Sequence, residues 1–254
     1  MKTKKNKIVV QNLKKSFDGK VILSNINFDV KVGESFVIMG GSGSGKSVLL
    51  KSIIGLLIPD QGSKVVVDGN DVTFLSIDQR ESITNQSGVL FQGGALFDSL
   101  KVWENICFVQ LQKRLITAKQ AYQIALEKLE LVGLSKKVLD LYPAEISGGM
   151  VKRVALARAI AGDPKILFFD EPTAGLDPIT SGVISELIKD RCRQLGATTI
   201  TITHDMNCVS RIADKAALLH KGEFIWIGKG KEIANSDNEF INQFVNGRPN
   251  GPIS

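Results

Sequence analysis

The chain has 254 residues, of which 43% are hydrophobic and 23% are charged, and its formal net charge is +6. This balance is typical of a packed globular core. No apolar stretch approaches the ~20 residues of a membrane-spanning helix, and the N-terminus lacks the apolar run of a signal peptide. These features exclude a membrane-embedded chain, so we expect any link to a membrane to come through a partner.

Two smaller features limit the choice of partners. Lysine fills four of the first seven positions, and such an arm could touch nucleic acid or an anionic membrane surface. No basic stripe interleaved with aromatic residues follows, so we expect a solvated tail and no nucleic-acid partner.

The three cysteines have no metal or redox spacing, which fits a reducing cytosol. We expect packing thiols at Cys107, Cys192 and Cys208.

The N-terminal part reads as strands followed by a strand–loop–helix unit. The first ~35 residues alternate β-like runs with turns, and Asp18-Gly19 is a hairpin signal. The apolar run SFVIMG (35–40) predicts a buried strand. A helical stripe of apolar residues begins at Lys46 and is ended by Pro59.

The middle of the chain reads as helical and the second half as alternating strands and helices. Residues 93–162 carry two helical patterns between strand-rich parts, which indicates an inserted lobe. Strand, helix and strand follow with short connections at 165–203, which predicts a parallel sheet. A last hairpin is expected to turn at Lys221-Gly222.

The loop GGSGSGKS (40–47) fits the P-loop pattern G-x-x-x-x-G-K-[ST], with a strand before it and a helix after it. Its glycines allow successive backbone N–H groups to ring a polyphosphate, and the helix N-terminus adds positive charge. Lys46 would reach the β- and γ-phosphate oxygens, and the Ser47 hydroxyl would bind Mg²⁺. The predicted phosphate-binding residues are Gly40, Gly41, Ser42, Gly43, Ser44, Gly45, Lys46 and Ser47.

Two later strands carry polar residues at their carboxyl ends, where open α/β sheets bind ligands. In KILFFDEP (165–172), Asp170 would orient Mg²⁺ and Glu171 would polarise the attacking water as general base. The alternative for this acidic pair is a strand-end turn. His204 follows TTITIT (198–203) and is expected to hydrogen-bond a γ-phosphate, although a lone histidine is more often structural.

With these motifs in order, the chain resembles the ATP-binding subunit of ABC transporters along nearly its whole length. ISGGM (146–150) is similar to the signature sequence of that family, and AGLD (174–177) to its D-loop. Gln92 stands at the position of the Q-loop glutamine, His204 at that of the switch histidine, and Phe17 where an aromatic ring stacks on adenine. Met150 replaces a usual glutamine, which leaves the role of that side chain open.

The resemblance implies an α/β fold, with a RecA-like P-loop NTPase core and a mainly parallel sheet. It adds an antiparallel β subdomain and an inserted α-helical subdomain. The expected ATPase domain spans 1–235, with its core at 1–92 and 163–235, its helical subdomain at 93–162, and a tail at 236–254. Two copies would pack head to tail around two ATP molecules, each held by one P-loop and by Ser147, Gly148 and Gly149 of the other copy. The Gln92 amide would reach Mg²⁺ and the attacking water.

A narrower resemblance rests on LFQGGALFDSLKVWENI, EISGGM, DEPTAGLDPIT and FVNGRPNGP. These segments are similar to the ATPases of Mla/MCE phospholipid-transport systems. The resemblance implies a bacterial ATPase on the cytoplasmic face of the inner membrane, beneath an integral permease, with an MCE-domain lipid-binding protein and in some systems a STAS-domain subunit. Gly93 and Gly94 would serve as a hinge, and Leu96 and Phe97 would face a cleft that receives a permease helix.

Three alternatives remain open at this point. The chain could power a transporter for a different substrate, or act outside transport on ribosomes or DNA. It could also be a nucleotide-binding regulatory module that does not hydrolyse ATP, although the presence of Glu171 and His204 argues against this.

Overall fold

The computed structural model describes residues 5–76, 78–80 and 86–253, so the first four residues of the lysine-rich arm lie outside it. The strands are β1 (Asn6–Phe17), β2 (Lys20–Lys31), β3 (Ser35–Met39), β4 (Lys64–Val67), β5 (Asn70–Asp71), β6 (Ser87–Leu90), β7 (Ile166–Asp170), β8 (Thr198–Thr203), β9 (Lys215–His220) and β10 (Glu223–Lys229). The helices are α1 (Lys46–Ile54), α2 (Val102–Ile106), α3 (Phe108–Gln112), α4 (Ala118–Leu131), α5 (Gly148–Ala159), α6 (Pro178–Leu195), α7 (Met206–Ile212) and α8 (Glu239–Asn246).

The first strands form an antiparallel sheet in the order β2-β1-β4-β5. Asp18 and Gly19 both have positive φ angles, of 48° and 78°, which suit a tight hairpin turn between strands of right-handed twist. The predicted hairpin is therefore confirmed. Its apolar face is buried against α1 and one face of the second sheet, which together form one core cluster.

The second sheet has six strands in the order β10-β9-β3-β8-β7-β6, and all are parallel except β10, which pairs antiparallel with β9. Strands buried on both faces favour continuous apolar sequence, as in ILFFD and SFVIM. The predicted parallel sheet and the hairpin at Lys221-Gly222 are confirmed. Because neighbouring parallel strands run the same way, their carboxyl ends meet at one edge.

Between β6 and β7 the described residues form helices and turns. Helix α4 begins at the N-cap Thr117, whose hydroxyl accepts from the Gln120 amide, and it buries Ala121, Ala125 and Leu129 on one face. Helix α5 begins after the N-cap Ser147. The helical character predicted for 93–162 is thus present, while the subdomain boundaries given above stay a prediction.

The C-terminal tail is folded onto the domain. Ile241 of α8 is fully buried in the core cluster that also contains α4 and α5. The Gln243 amide oxygen accepts from the Ile253 backbone N–H at 2.6 Å, and its nitrogen donates to the Ile253 carbonyl at 3.2 Å. Within the described ranges, none of the helices is long and apolar enough to cross a membrane.

We expect Ile241→Ala to lower the free energy of unfolding by about 2–4 kcal/mol, because it leaves a cavity in a closed core. Chemical denaturation of the purified protein measures this change. The matched control is Glu239→Gln, an exposed residue of the same helix, for which a change within about 0.5 kcal/mol is expected. Equal stability of the two variants would contradict the docked tail.

Candidate nucleotide-hydrolysis site

Four adjacent strands, β3, β8, β7 and β6, deliver the predicted polar residues to one edge of the parallel sheet. Met39 pairs with Thr203, Ile202 with Asp170, and Phe169 with Leu90. Gly40 and the P-loop follow β3, His204 follows β8, and Glu171 follows β7. Gln92 lies two positions after Leu90, the last residue of β6. The structure therefore gathers residues that are far apart in sequence, as the parallel topology predicts.

The P-loop closes tightly between β3 and α1. A Cβ atom on Gly40 would lie 2.5 Å from the Leu219 carbonyl oxygen and 2.7 Å from the Ser44 hydroxyl, so only glycine fits there. The Ser44 hydroxyl is buried and has no hydrogen-bond partner among the described residues. Gly45, the N-cap of α1, has no side chain to cap the helix. An orphaned donor and an uncapped helix N-terminus both suit a bound phosphate.

Lys46 lies inside this loop and is 8% exposed. Its ammonium donates to the carbonyls of Gly40 and Gly41 at 2.8 and 3.0 Å and lies 3.5 Å from Glu171 Oε1. A buried cation needs such partners. It could exchange one of them for phosphate oxygens without leaving the loop.

Ser47 and Asp170 form the pair of oxygen donors that could hold Mg²⁺. The Ser47 hydroxyl donates to Asp170 Oδ1 at 3.5 Å. Asp170 is buried, and this burial together with the adjacent Glu171 carboxylate raises its pKa. A divalent cation would relieve that repulsion, and hydroxyl and carboxylate oxygens are ligands that Mg²⁺ prefers. The residues present therefore fit the ion.

Glu171 joins two of the predicted site residues. Its Oε2 atom lies 2.9 Å from His204 Nδ1 and accepts from the His204 backbone N–H, while Oε1 faces Lys46. The backbone of Glu171 has φ of +47°, an uncommon value for a residue with a side chain. The carboxylate is thus held between a buried cation and an exposed imidazole, close to where a terminal phosphate would lie.

Sequence reasoning missed Lys152, the partner of two loops in this site. It lies in α5, is 5% exposed, and donates to the backbone carbonyls of Gln92 and, at 3.5 Å, of Glu171. A lysine within a helix usually faces solvent. In the sequence, the one sign that Lys152 could be buried is its position close to the signature sequence. The side chain of Gln92 itself is exposed.

The signature residues lie at the N-terminus of α5. Ser147 is exposed, and its hydroxyl accepts from the Met150 backbone N–H at 3.3 Å, so this side chain caps the helix. A Cβ on Gly149 would be 3.1 Å from the Thr180 methyl group, so this turn abuts the start of α6. Asp177, from the predicted D-loop, caps α6 through the Ile179 and Thr180 amides. The two motifs therefore form one surface.

Two further expectations concern exposed aromatic residues. Phe17 is 42% exposed at the end of β1, with Lys15 Nζ 5.1 Å from its ring centroid, and its adenine-stacking role stays a prediction. Phe97 lines a groove and contacts Phe108 at a ring-centroid distance of 4.2 Å. Leu96 is partly buried and packs against the core cluster, and the cleft-facing position expected for it stays a prediction.

Comparison with known proteins decides the family. The sequence profile of the ABC transporter family matches residues 23–174. The chain belongs to the ABC transporter family. It is 41% identical to the "Probable ribonucleotide transport ATP-binding protein mkl" of Mycobacterium leprae, over 97% of this chain and 70% of that protein. It is also 41% identical to the "Intermembrane phospholipid transport system ATP-binding protein MlaF" of Haemophilus influenzae, over 98% and 93%.

The solved structures give the same assignment for the ABC fold. A dimeric ATP-binding cassette in a post-hydrolysis state, bound to ADP and Pi, superposes with a TM-score of 0.81 at 31% identity, over 87% of this chain and 98% of that one. The expected α/β P-loop NTPase fold is confirmed. This ABC cassette is therefore an ATP hydrolase, and the interpretation as a module without hydrolysis is excluded.

Lys46→Ala is expected to weaken ATP binding about tenfold or more, because a hydrogen bond to a charged group contributes about 1.5–3 kcal/mol. Calorimetric titration with ATP measures the affinity. Lys64→Ala, an exposed lysine of β4 in the antiparallel sheet, serves as the control and should bind ATP as the parent protein does. Unchanged affinity in the Lys46 variant would refute the P-loop assignment.

Proposed function

We propose that this chain is the ATP-hydrolysing subunit of a bacterial ABC transporter that moves phospholipid between the membranes of the cell envelope. The observation that carries the proposal is the match to MlaF, which spans nearly the whole of both chains. The alternative is a transporter for a different substrate, and the similarity to mkl, which is named for ribonucleotide transport, favours it. In either case the subunit acts at the cytoplasmic face of the inner membrane.

The site geometry supports the proposed hydrolysis. The P-loop amides and Lys46 would hold the phosphates of ATP, and Ser47 and Asp170 would hold Mg²⁺, with Gln92 as a further proposed ligand. When bound, Mg²⁺ would neutralise charge on the phosphate oxygens. Glu171 would accept a proton from the water that attacks in line, and its 2.9 Å contact with His204 would orient the carboxylate toward that water. Lys46 stabilises the negative charge that develops on the transferred phosphoryl group.

A second copy of the chain would complete each site. Ser147, Gly148 and Gly149 offer backbone N–H groups at a helix N-terminus on an accessible surface. In a head-to-tail dimer they would close over the γ-phosphate held by the P-loop of the other copy. The dimeric state of the similar cassette supports this arrangement. Release of ADP and phosphate would then reopen the dimer.

The groove beside the helical block is the proposed docking site for the permease. Its volume is about 460 Å³, and the aromatic residues Phe91, Phe97 and Phe108 line it together with Val109 and Arg158. An exposed apolar patch of this kind marks an interaction site. An amphipathic helix from an integral permease would fill it, because such a helix presents apolar side chains on one face.

The proposed assembly contains two copies of this chain, the integral permease and an MCE-domain lipid-binding protein, with a STAS-domain subunit in some systems. Affinity purification from detergent-solubilised membranes tests it. Recovery of a permease with an MCE protein supports phospholipid transport. Recovery of a permease with a soluble substrate-binding protein of another kind supports the alternative.

Glu171→Gln should bind ATP normally but hydrolyse it about 100- to 10,000-fold more slowly, because it lacks the general base. In vesicles that contain the complex and labelled phospholipid, this variant should also stop ATP-dependent transfer. Glu130→Gln, an exposed glutamate of α4, is the control. If the Glu171 variant hydrolyses ATP at the parental rate, the role of the base is wrong. If the parental complex hydrolyses ATP but transfers no phospholipid, the proposed substrate is wrong.

Phe97→Ser is expected to leave ATP affinity unchanged and to weaken docking of the permease by about 30-fold, because a central aromatic residue of an interface contributes about 2 kcal/mol or more. Co-purification at defined salt and transport per ATP hydrolysed measure the effect. Leu115→Ser replaces an apolar residue of the helical block that is 68% exposed and outside the groove, and serves as the control. Full coupling in the Phe97 variant would contradict the docking site.

A further inference from the structure

The backbone after β6 lies along one face of α5. Residues 92–95 follow this helix from Val151 to Arg158, and a Cβ atom on Gly94 would lie only 2.8 Å from Val151 Cγ1. That close approach requires glycine at position 94, which has φ of +79°. The segment that carries Gln92 is therefore packed directly on the helix that begins at the signature sequence.

Two cations of α5 hold the carbonyl groups of this segment. Lys152 donates to the Gln92 carbonyl, while Arg158 donates to the carbonyls of Gly94 at 2.6 Å and Ala95 at 2.7 Å. These three backbone carbonyls of a strand-end loop would otherwise need solvent or secondary structure as partners. Here the helix supplies the donors, and two charge-assisted contacts come from one guanidinium group.

Lys152 also reaches the other strand end of the site. Its ammonium lies 3.5 Å from the Glu171 carbonyl oxygen, so a single buried side chain contacts the backbone on both sides. Burial lowers the pKa of this lysine, and the carboxylates of Asp170 and Glu171 oppose that shift. A cation is retained in this interior only where such partners surround it.

We propose that Lys152 and Arg158 are positioning residues for ATP hydrolysis, which fix the Gln92 segment to α5 and join it through Lys152 to the backbone of Glu171. Both side chains contact backbone carbonyl groups and act on the reaction through them. Their effect is to hold the Gln92 segment in a fixed position against the signature helix and, through Lys152, beside the Glu171 strand end. The inference rests on the proposed roles of Gln92 and Glu171 and is independent of the transported substrate.

The same helix provides a matched control. Arg153, adjacent to Lys152 in sequence, donates to the carbonyl groups of Val132 and Gly133 at the end of α4, at 3.5 and 3.3 Å. It is a cation of α5 that also binds backbone carbonyls, but those at the end of α4 and not those of the Gln92 segment. Its loss therefore reports the general cost of removing such a contact.

The test compares Lys152→Met, Arg158→Lys and Arg153→Gln in the full-length protein. Because a misplacement of about 1 Å can cost about 100-fold in rate, we expect Lys152→Met to lower kcat about ten- to 100-fold with ATP affinity within about threefold. Arg158→Lys keeps the positive charge but loses the paired N–H donors of the guanidinium group, and should lower kcat less, by about threefold. Arg153→Gln should keep the parental kcat.

Amide hydrogen exchange provides the second readout. Peptides that cover residues 90–98 should exchange faster in the Lys152 and Arg158 variants and unchanged in the Arg153 variant. Equal kcat in the Lys152 and Arg153 variants, or parental exchange in this peptide, would overturn the inference. Should Lys152→Met fail to fold, Arg158→Lys at its half-buried position decides the outcome by the same two measurements. Loss of hydrolysis in Glu171→Gln alongside a parental Lys152 variant would leave the proposed site standing and reject only this link.

Discussion

The structure depends on the parallel pairing of β3, β8, β7 and β6. Because these strands share a direction, their carboxyl ends form one edge, and each end carries a polar loop. The paired residues Met39 and Thr203, and Phe169 and Leu90, fix the depth of each loop along that edge. A shift of one position would turn the following side chains to the opposite face, so the register and the site geometry cannot be separated.

Within that edge, Glu171 is the point where the local interactions meet. Its carboxylate contacts Lys46 of the P-loop and His204 after β8, and its carbonyl contacts Lys152 of α5. A positive φ at a residue with a side chain is a strained state that persists only where the surroundings hold it. Contacts from three different elements supply that support, and they also tie the residue to the helical block.

Much of this arrangement could be predicted from local sequence. The P-loop spacing, the apolar runs before Asp170 and His204, and the turns at Asp18-Gly19 and Lys221-Gly222 are short-range signals with a direct physical cause. The packing of Leu96 against the core could not be predicted, because neighbouring apolar residues in an irregular segment do not reveal which of them contacts the core. Lys152 was overlooked, since its burial arises from elements about 20 and 60 positions away in sequence.

The sequence by itself determined the order of the main strands and helices, the spacing of the P-loop and the residue types expected at the strand ends, because these depend on periodicity and fixed spacing over a few residues. The family was indicated by the resemblance of the motifs to those of known proteins. Only the tertiary structure decided which of these residues meet, that the tail is docked through Ile241, and that Phe97 lines the groove while Leu96 packs against the core cluster. Those outcomes depend on packing between distant segments, where burial and hydrogen-bond satisfaction select one arrangement among several that local sequence permits.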